Sequence, residues 1–310
     1  MTIAFVFPGQ GSQSVGMMKS FAQSPQVRET FIEASEAIGR DLWSLVEDGP
    51  ADELNLTVNT QPVMLTAGVA LYRAWNAANG NRPAIAAGHS LGEYSALVMG
   101  GAIEFAEAVD LVRFRAQAMQ DAVPAGEGAM AAILGLEDVA IQATCMEASE
   151  KGEIAEAANF NSPAQVVIAG NRAAIERAMA IAVSKGAKRA IMLPMSVPSH
   201  CSLMRPAAER LRERLKGANI RPSSIPVLHN ADVTSAASAD AVRDALVRQL
   251  YQPVRWVDTI RVILSAGVTH IVECGPGRVL AGLNKRIAPQ APAFSFADEP
   301  AFTQTLAVLK

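Results

Sequence analysis

Apolar runs that stop abruptly at Gly, Pro or a polar pair alternate with stretches of helical periodicity at both ends of the chain. Residues 3–7 (Ile-Ala-Phe-Val-Phe) stop at Pro8-Gly9, residues 84–88 at His89-Ser90, residues 225–228 at His229-Asn230, and residues 270–274 at Gly275-Pro-Gly277. Short, nearly continuous apolar runs that lead into loops are expected of strands buried on both faces of a parallel sheet. The intervening helical stretches supply the crossovers. The predicted fold class is therefore α/β, a mainly parallel sheet with helices on both faces.

The middle of the chain follows a different order. Residues 129–134 read as a strand, 137–149 as a helix, and 154–159 and 166–169 as two strands around a turn at Asn161-Ser-Pro163. A helix over 172–183, with Ile175, Met179 and Val183 on one stripe, and a strand over 189–193 complete the set. The order β-α-β-β-α-β is that of a ferredoxin-like split unit. The expected organisation is a small domain, 124–195, inserted into a discontinuous α/β domain made of 1–123 and 196–310. Gly126-Glu-Gly128 and residues 194–198 are the expected hinges.

Composition narrows the class. The chain has 310 residues, 50% of them hydrophobic and 18% charged, enough for a large core and unlike a disordered segment. A net charge of −3 argues against a nucleic-acid binder that relies on a basic surface. Cys145, Cys201 and Cys274 lack metal-ligand or C-x-x-C spacing, so neither a disulfide framework nor a metal site is expected. No apolar run approaches the roughly 20 residues of a membrane span, and no basic n-region precedes residues 3–7. The expectation is a cytoplasmic protein with no membrane partner.

Gly88-His-Ser-Leu-Gly92 is a G-x-S-x-G between a predicted strand and a helical pattern over 93–98. In such an elbow the glycines allow a tight strand-to-helix turn, the serine oxygen projects from it, and the helix N-terminus favours negative charge. Ser90 with Glu93 also spells a capping box, the purely structural alternative. A nucleophilic serine needs a base, and there are four histidines. His89 adjoins Ser90 on a tight turn, whereas His229 and His270 lie at strand ends. His200, in a loop before the amphipathic helix 205–216, is the best-placed candidate. Asp232 and Glu273 are candidate acids to orient it, and a backbone carbonyl could serve instead.

The helix predicted over 104–123 has a main apolar stripe and, beside it, a second row formed by Ala108, Leu111, Ala118 and Ala122. Arg115 falls in that second row, while Arg113 falls on the polar side. A buried guanidinium demands an anion, either an internal carboxylate or one brought by a substrate. The loop Pro8-Gly-Gln-Gly-Ser-Gln13 matches neither a P-loop nor a dinucleotide fingerprint. It could instead bring a backbone N–H to a serine at the same sheet edge.

Five ordered segments carry a resemblance: Gly9-Gln-Gly-Ser-Gln13, Gly88-His-Ser-Leu-Gly-Glu-Tyr94, Asn159-Phe-Asn-Ser-Pro163, Ser196-Val-Pro-Ser-His200 and Gln249-Leu-Tyr-Gln-Pro-Val-Arg-Trp256. Together they resemble the malonyl-CoA:acyl carrier protein transacylase family, from Phe5 to about Ile287. The resemblance implies a hydrolase-like core with a ferredoxin-like insertion. It implies Ser90 as the acylated nucleophile, His200 as its base and acid, and the N–H groups of Gln10 and Leu91 as oxyanion donors. Arg115 would hold the malonyl carboxylate, Gln249 would line the site and offer its carbonyl to His200, and Asn161 and Asn230 would help position the thioester or pantetheine.

The implied reaction is ping-pong transfer from malonyl-CoA to the phosphopantetheine thiol of acyl carrier protein, with no bound cofactor and no metal. Polyketide acyltransferases of this architecture often carry His-Ala-Phe-His where this chain has Val197-Pro-Ser-His200, so the fatty-acid enzyme is favoured. A free-standing polyketide-type acyltransferase using malonyl or methylmalonyl units, and a serine thioester hydrolase, are the alternatives. A monomer is expected. The acidic carrier would meet a basic rim, with Lys185, Lys188 and Arg189 or Lys285 and Arg286 as candidates.

Overall fold

The computed structural model describes residues 1–195 and 197–310; Ser196, within the expected hinge and the Ser196–His200 motif, lies outside the described residues. Strands β1 (Ile3–Phe7), β2 (Ile85–Gly88), β3 (Gly128–Leu134), β4 (Ala155–Ser162), β5 (Gln165–Asn171), β6 (Arg189–Met192), β7 (Val227–Leu228), β8 (His270–Glu273) and β9 (Ala293–Ser295) form two sheets. The first has the order β7-β2-β1-β8-β9, and all its pairings are parallel. Alternation along β1 divides the core. Ile3, Phe5 and Phe7 pack with Thr57–Ala77, Phe105–Ala122 and neighbouring helices, and Ala4 and Val6 pack with Trp256–Ser265 and Val279–Ile287. Helices thus cover both faces.

The second sheet is antiparallel, in the order β4-β5-β3-β6, which is the split β-α-β arrangement the element order predicts. One face carries Ala131, Ile133, Val166 and Ile168 against the helices Asp138–Ala148 and Arg172–Ser184. The other carries Met130, Val167 and Ala169 toward Cys201 and Leu203. Backbone bonds from Phe160 N to Val254 O and from Val254 N to Ala158 O tie β4 to the segment that follows Gln249.

The structure revises several sequence expectations. β4 runs through Ser162, so Asn161 lies on a strand and the turn falls at Pro163-Ala164, where Ala164 has φ 58°. β7 keeps only Val227 and Leu228, because Pro226 has no N–H for a ladder. The helix Thr57–Ala77 escapes the pattern because it is buried on nearly all sides along its first fifteen residues and shows no amphipathic stripe. Among the described residues, no helix is long and apolar enough to cross a membrane.

Candidate active site

The C-terminal end of β2 and the N-terminus of the helix Gly92–Met99 meet in a turn that only glycine permits. A Cβ on Gly88 would lie 1.8 Å from Gly92 C, and one on Gly92 would lie 2.0 Å from Phe7 O. Ser90 itself is left-handed, with φ 51°, and this strained conformation aims its side chain off the sheet edge. Glu93 does not turn back to Ser90 N, so no capping box forms; that N–H donates instead to Asn230 Oδ1 at 2.7 Å.

Ser90 Oγ lies 2.7 Å from His200 Nε2. The other ring nitrogen, Nδ1, lies 2.7 Å from the backbone carbonyl of Gln249. A carbonyl accepts only, so Nδ1 carries the proton and Nε2 is free to accept from the serine hydroxyl. Burial, reinforced by the Arg115 cation, pushes the imidazole down to about 3 despite the bond to Gln249 O. His200 is therefore a neutral base at physiological pH. The two sequence candidates for an orienting acid are engaged elsewhere. Asp232 pairs with Arg248 at 2.6 Å, and Glu273 accepts from Leu280 N and Ala281 N at the start of Val279–Ile287. Burial raises the Glu273 carboxyl to about 7 even so.

The glycine-rich loop after β1 runs against this turn, since a Cβ on Gly9 would lie 2.5 Å from His89 O and 3.7 Å from Leu91 N. Gln10 and Leu91 both line the cavity above Ser90, and neither N–H is committed to an acceptor among the described residues. Two free donors beside a nucleophile at a helix N-terminus can stabilise a tetrahedral oxyanion.

Arg115 is 1% exposed. Its Nη1 donates to Gln61 Oε1 at 2.8 Å, and its Nη2 donates to Gln249 Oε1 at 2.9 Å and reaches Ser90 Oγ at 3.3 Å. Nε has no partner, and no carboxylate pairs with the guanidinium among the described residues. Desolvation lowers its pKa. An internal ion pair, the structural alternative raised by the sequence, is thus not what the fold provides. The direct hydrogen-bond partners of the cation are all neutral, and it sits at a cavity of about 510 Å³, a volume suited to a thioester arm. Met130, Ala132 and Val167 from the second sheet and Leu193, just after β6, form an apolar wall.

Asn161 lines this cavity, with Oδ1 2.8 Å from His89 Nε2, and burial lowers the pKa of His89. Asn230, expected against the thioester or pantetheine, does not line the cavity. Its Nδ2 donates to Gly88 O at 2.6 Å and its Oδ1 accepts from Ser90 N, so both ends of the amide brace the elbow from behind. Sequence reasoning missed Gln61, the partner of Arg115, and passed over Glu93 and His229, which form a fully buried pair at 2.7 Å. A helical Glu and a strand-end His carry no local mark of mutual burial. The one available signal was His229-Asn230, a polar pair ending an apolar strand.

A family model described as acyl transferase domain matches residues 4–289. The chain is 54% identical over 304 residues, 98% of each chain, to the malonyl CoA-acyl carrier protein transacylase of Escherichia coli K12. The chain belongs to the malonyl-CoA:acyl carrier protein transacylase family. An acyl-carrier-protein S-malonyltransferase from Burkholderia pseudomallei is 58% identical, with a TM-score of 0.97 over 99% of this chain and 100% of that one. A malonyl-transacylase solved in complex with a type II PKS acyl-carrier protein is 49% identical, with a TM-score of 0.98 over 99% and 100%.

Proposed function

We infer that this chain moves the malonyl group from malonyl-CoA to the phosphopantetheine thiol of acyl carrier protein, supplying extender units for fatty-acid synthesis. The observation that carries this reading is Arg115, a buried cation without a carboxylate partner among the described residues, 3.3 Å from the hydroxyl of an elbow serine. A malonyl group attached there brings the missing anion. An acetyl group leaves the guanidinium unpaired, which penalises it.

In the first half-reaction Ser90 Oγ attacks the thioester carbon and its proton passes to His200 Nε2. The carbonyl oxygen, now negative, is held by the N–H groups of Gln10 and Leu91. Collapse of the tetrahedral intermediate breaks the C–S bond, and Nε2 returns the proton to the departing CoA sulfur. The carrier thiol then repeats the sequence on the malonyl-serine ester, giving its proton to Nε2, which returns it to Ser90 Oγ. Each oxyanion donor contributes about 10²- to 10³-fold and the base about 10²- to 10⁴-fold. Gln249 holds His200 by its carbonyl and Arg115 by its side chain. Asn161 contacts the bound arm from the cavity wall.

Residues 124–195 are taken as the inserted small domain and 1–123 with 196–310 as the catalytic domain, a division supported by the separate sheet and its own apolar core. For carrier docking, Lys285 and Arg286 are preferred over Lys185, because Arg286 bonds Gln165 on the cavity wall while Lys185 pairs with Glu147. A monomer suffices, as one chain supplies every group used.

The test is intact-protein mass after brief mixing with malonyl-CoA, then with holo carrier. Wild type should gain one malonyl group and lose it to the carrier, and Ser90→Ala should gain none. Free malonate accumulating without an adduct or carrier loading would favour a thioester hydrolase.

A further inference from the structure

No step above uses the pair behind the elbow. Glu93 is fully buried in the first turn of Gly92–Met99, and His229, at the end of β7, is 2% exposed. Glu93 Oε1 accepts from His229 Nδ1 at 2.7 Å, and Oε2 accepts from Asn230 N at 2.9 Å and Gln249 Nε2 at 2.8 Å. A carboxylate buried this deeply persists only when its oxygens meet donors. Burial works against a charge on His229, yet the charge and hydrogen bond of Glu93 outweigh it and the imidazole pKa is raised.

The consequence falls on Gln249. A carboxylate can only accept hydrogen bonds, and a guanidinium can only donate them. The Gln249 amide bridges the two, with Nε2 toward Glu93 and Ser90 O (3.0 Å) and Oε1 toward Arg115 Nη2 (2.9 Å). Turning the amide over would set its NH₂ against the cation and its oxygen against the anion. We propose that Glu93, held by His229, is a positioning residue that fixes the orientation of the Gln249 amide and thereby aims Arg115 at the substrate's free carboxylate. It is thus a determinant of selectivity for dicarboxylic acyl groups, and it rests on the malonyl-transfer reading above.

The experiment is single-turnover acylation of Ser90, followed by quenched intact-protein mass with malonyl-CoA and separately with acetyl-CoA. Wild type is compared with Glu93→Gln, His229→Asn and His229→Leu. Formation of the wild-type malonyl adduct tests the underlying reading by itself. Given that adduct, Glu93→Gln should lower the malonyl-to-acetyl rate ratio about tenfold or more, the scale of one hydrogen bond to a charged group. His229→Asn, which keeps a donor near the Nδ1 position, should hold the ratio closer to wild type than His229→Leu. Equal losses for both thioesters, an unchanged ratio, or identical ratios in the two His229 variants would overturn the proposal. If Glu93→Gln fails to fold, the His229 pair decides.

Discussion

Replacing Arg115 with methionine separates what this side chain does for the substrate from what it does for the fold. A bidentate contact with malonate offers two charge-assisted hydrogen bonds, each about 1.5–3 kcal/mol, or roughly 3–6 kcal/mol together. At about 1.4 kcal/mol per decade, kcat/KM for malonyl-CoA should fall roughly 10²- to 10⁴-fold. Acetyl-CoA should lose nothing, because it never pairs the cation. Stability should scarcely move. Among the described residues the guanidinium has no carboxylate partner and its Nε has none at all, so methionine removes a desolvated charge while filling a similar volume. Gln61 Oε1 can turn to water in the cavity it lines, the lost donor to the buried Gln249 Oε1 is offset by removal of the desolvated charge, and the change in unfolding free energy should stay within about 1 kcal/mol. Steady-state kinetics on both thioesters and urea unfolding measure the two halves. Added malonate at about 100 times its Kd should stabilise wild type by about 2.7 kcal/mol and leave the variant unaffected. Malonyl turnover within about threefold of wild type, or destabilisation beyond about 3 kcal/mol, would refute the reasoning that links burial, lack of an anion and specificity.

Other outcomes follow from the same geometry. His200 titrates near 3 against 6.5 for a free imidazole, so acylation should stay flat from about pH 8 to pH 5, and an acid limb centred on 6.5 would contradict its neutral state. The same depression gives stability that is full above 6.5 and lost as pH falls toward 3, so His200→Gln should flatten that part of a chemical-denaturation pH series. Glu273, raised from 4.5 to about 7, works in the opposite sense: its contribution is present below 4.5 and lost as pH rises through 7. Glu273→Gln should therefore gain stability relative to wild type at pH 8, with the difference shrinking toward pH 4. Gly92→Ala drives a Cβ to 2.0 Å from Phe7 O in a central strand and should cost about 3 kcal/mol or more, whereas Gly282→Ala, in open space on a helix, should gain about 0.4–1 kcal/mol by thermal or urea unfolding.

The elbow and both sheets, apart from the edge strand β9, were legible because their signals are local. Apolar runs that end at Gly or Pro mark strands, and G-x-S-x-G encodes steric demands that two neighbouring glycines meet. Arg115 stood out for a similar reason, as a charge on an apolar row of a single helix. Proximity to Pro163 misled the reading at Asn161, where the strand continues to the proline. Periodicity and spacing left open who partners whom; only the family resemblance implied the grouping of Ser90, His200 and the Gln249 carbonyl. The ring of His200 is held by a backbone carbonyl, which every residue owns, and that carbonyl belongs to Gln249, 49 positions away. Ser90 and His200 are 110 positions apart, Arg115 and Gln249 134, and Glu93 and His229 136. Glu93 reads as the capping-box partner of Ser90, and only packing against His229, Asn230 and Gln249 makes it a buried acceptor. Periodicity and turn chemistry act between near neighbours and determine where strands, helices and the elbow begin and end. Hydrogen-bond donors and acceptors find one another across the chain only when the sheet is assembled, so the tertiary structure decided which polar groups share the site.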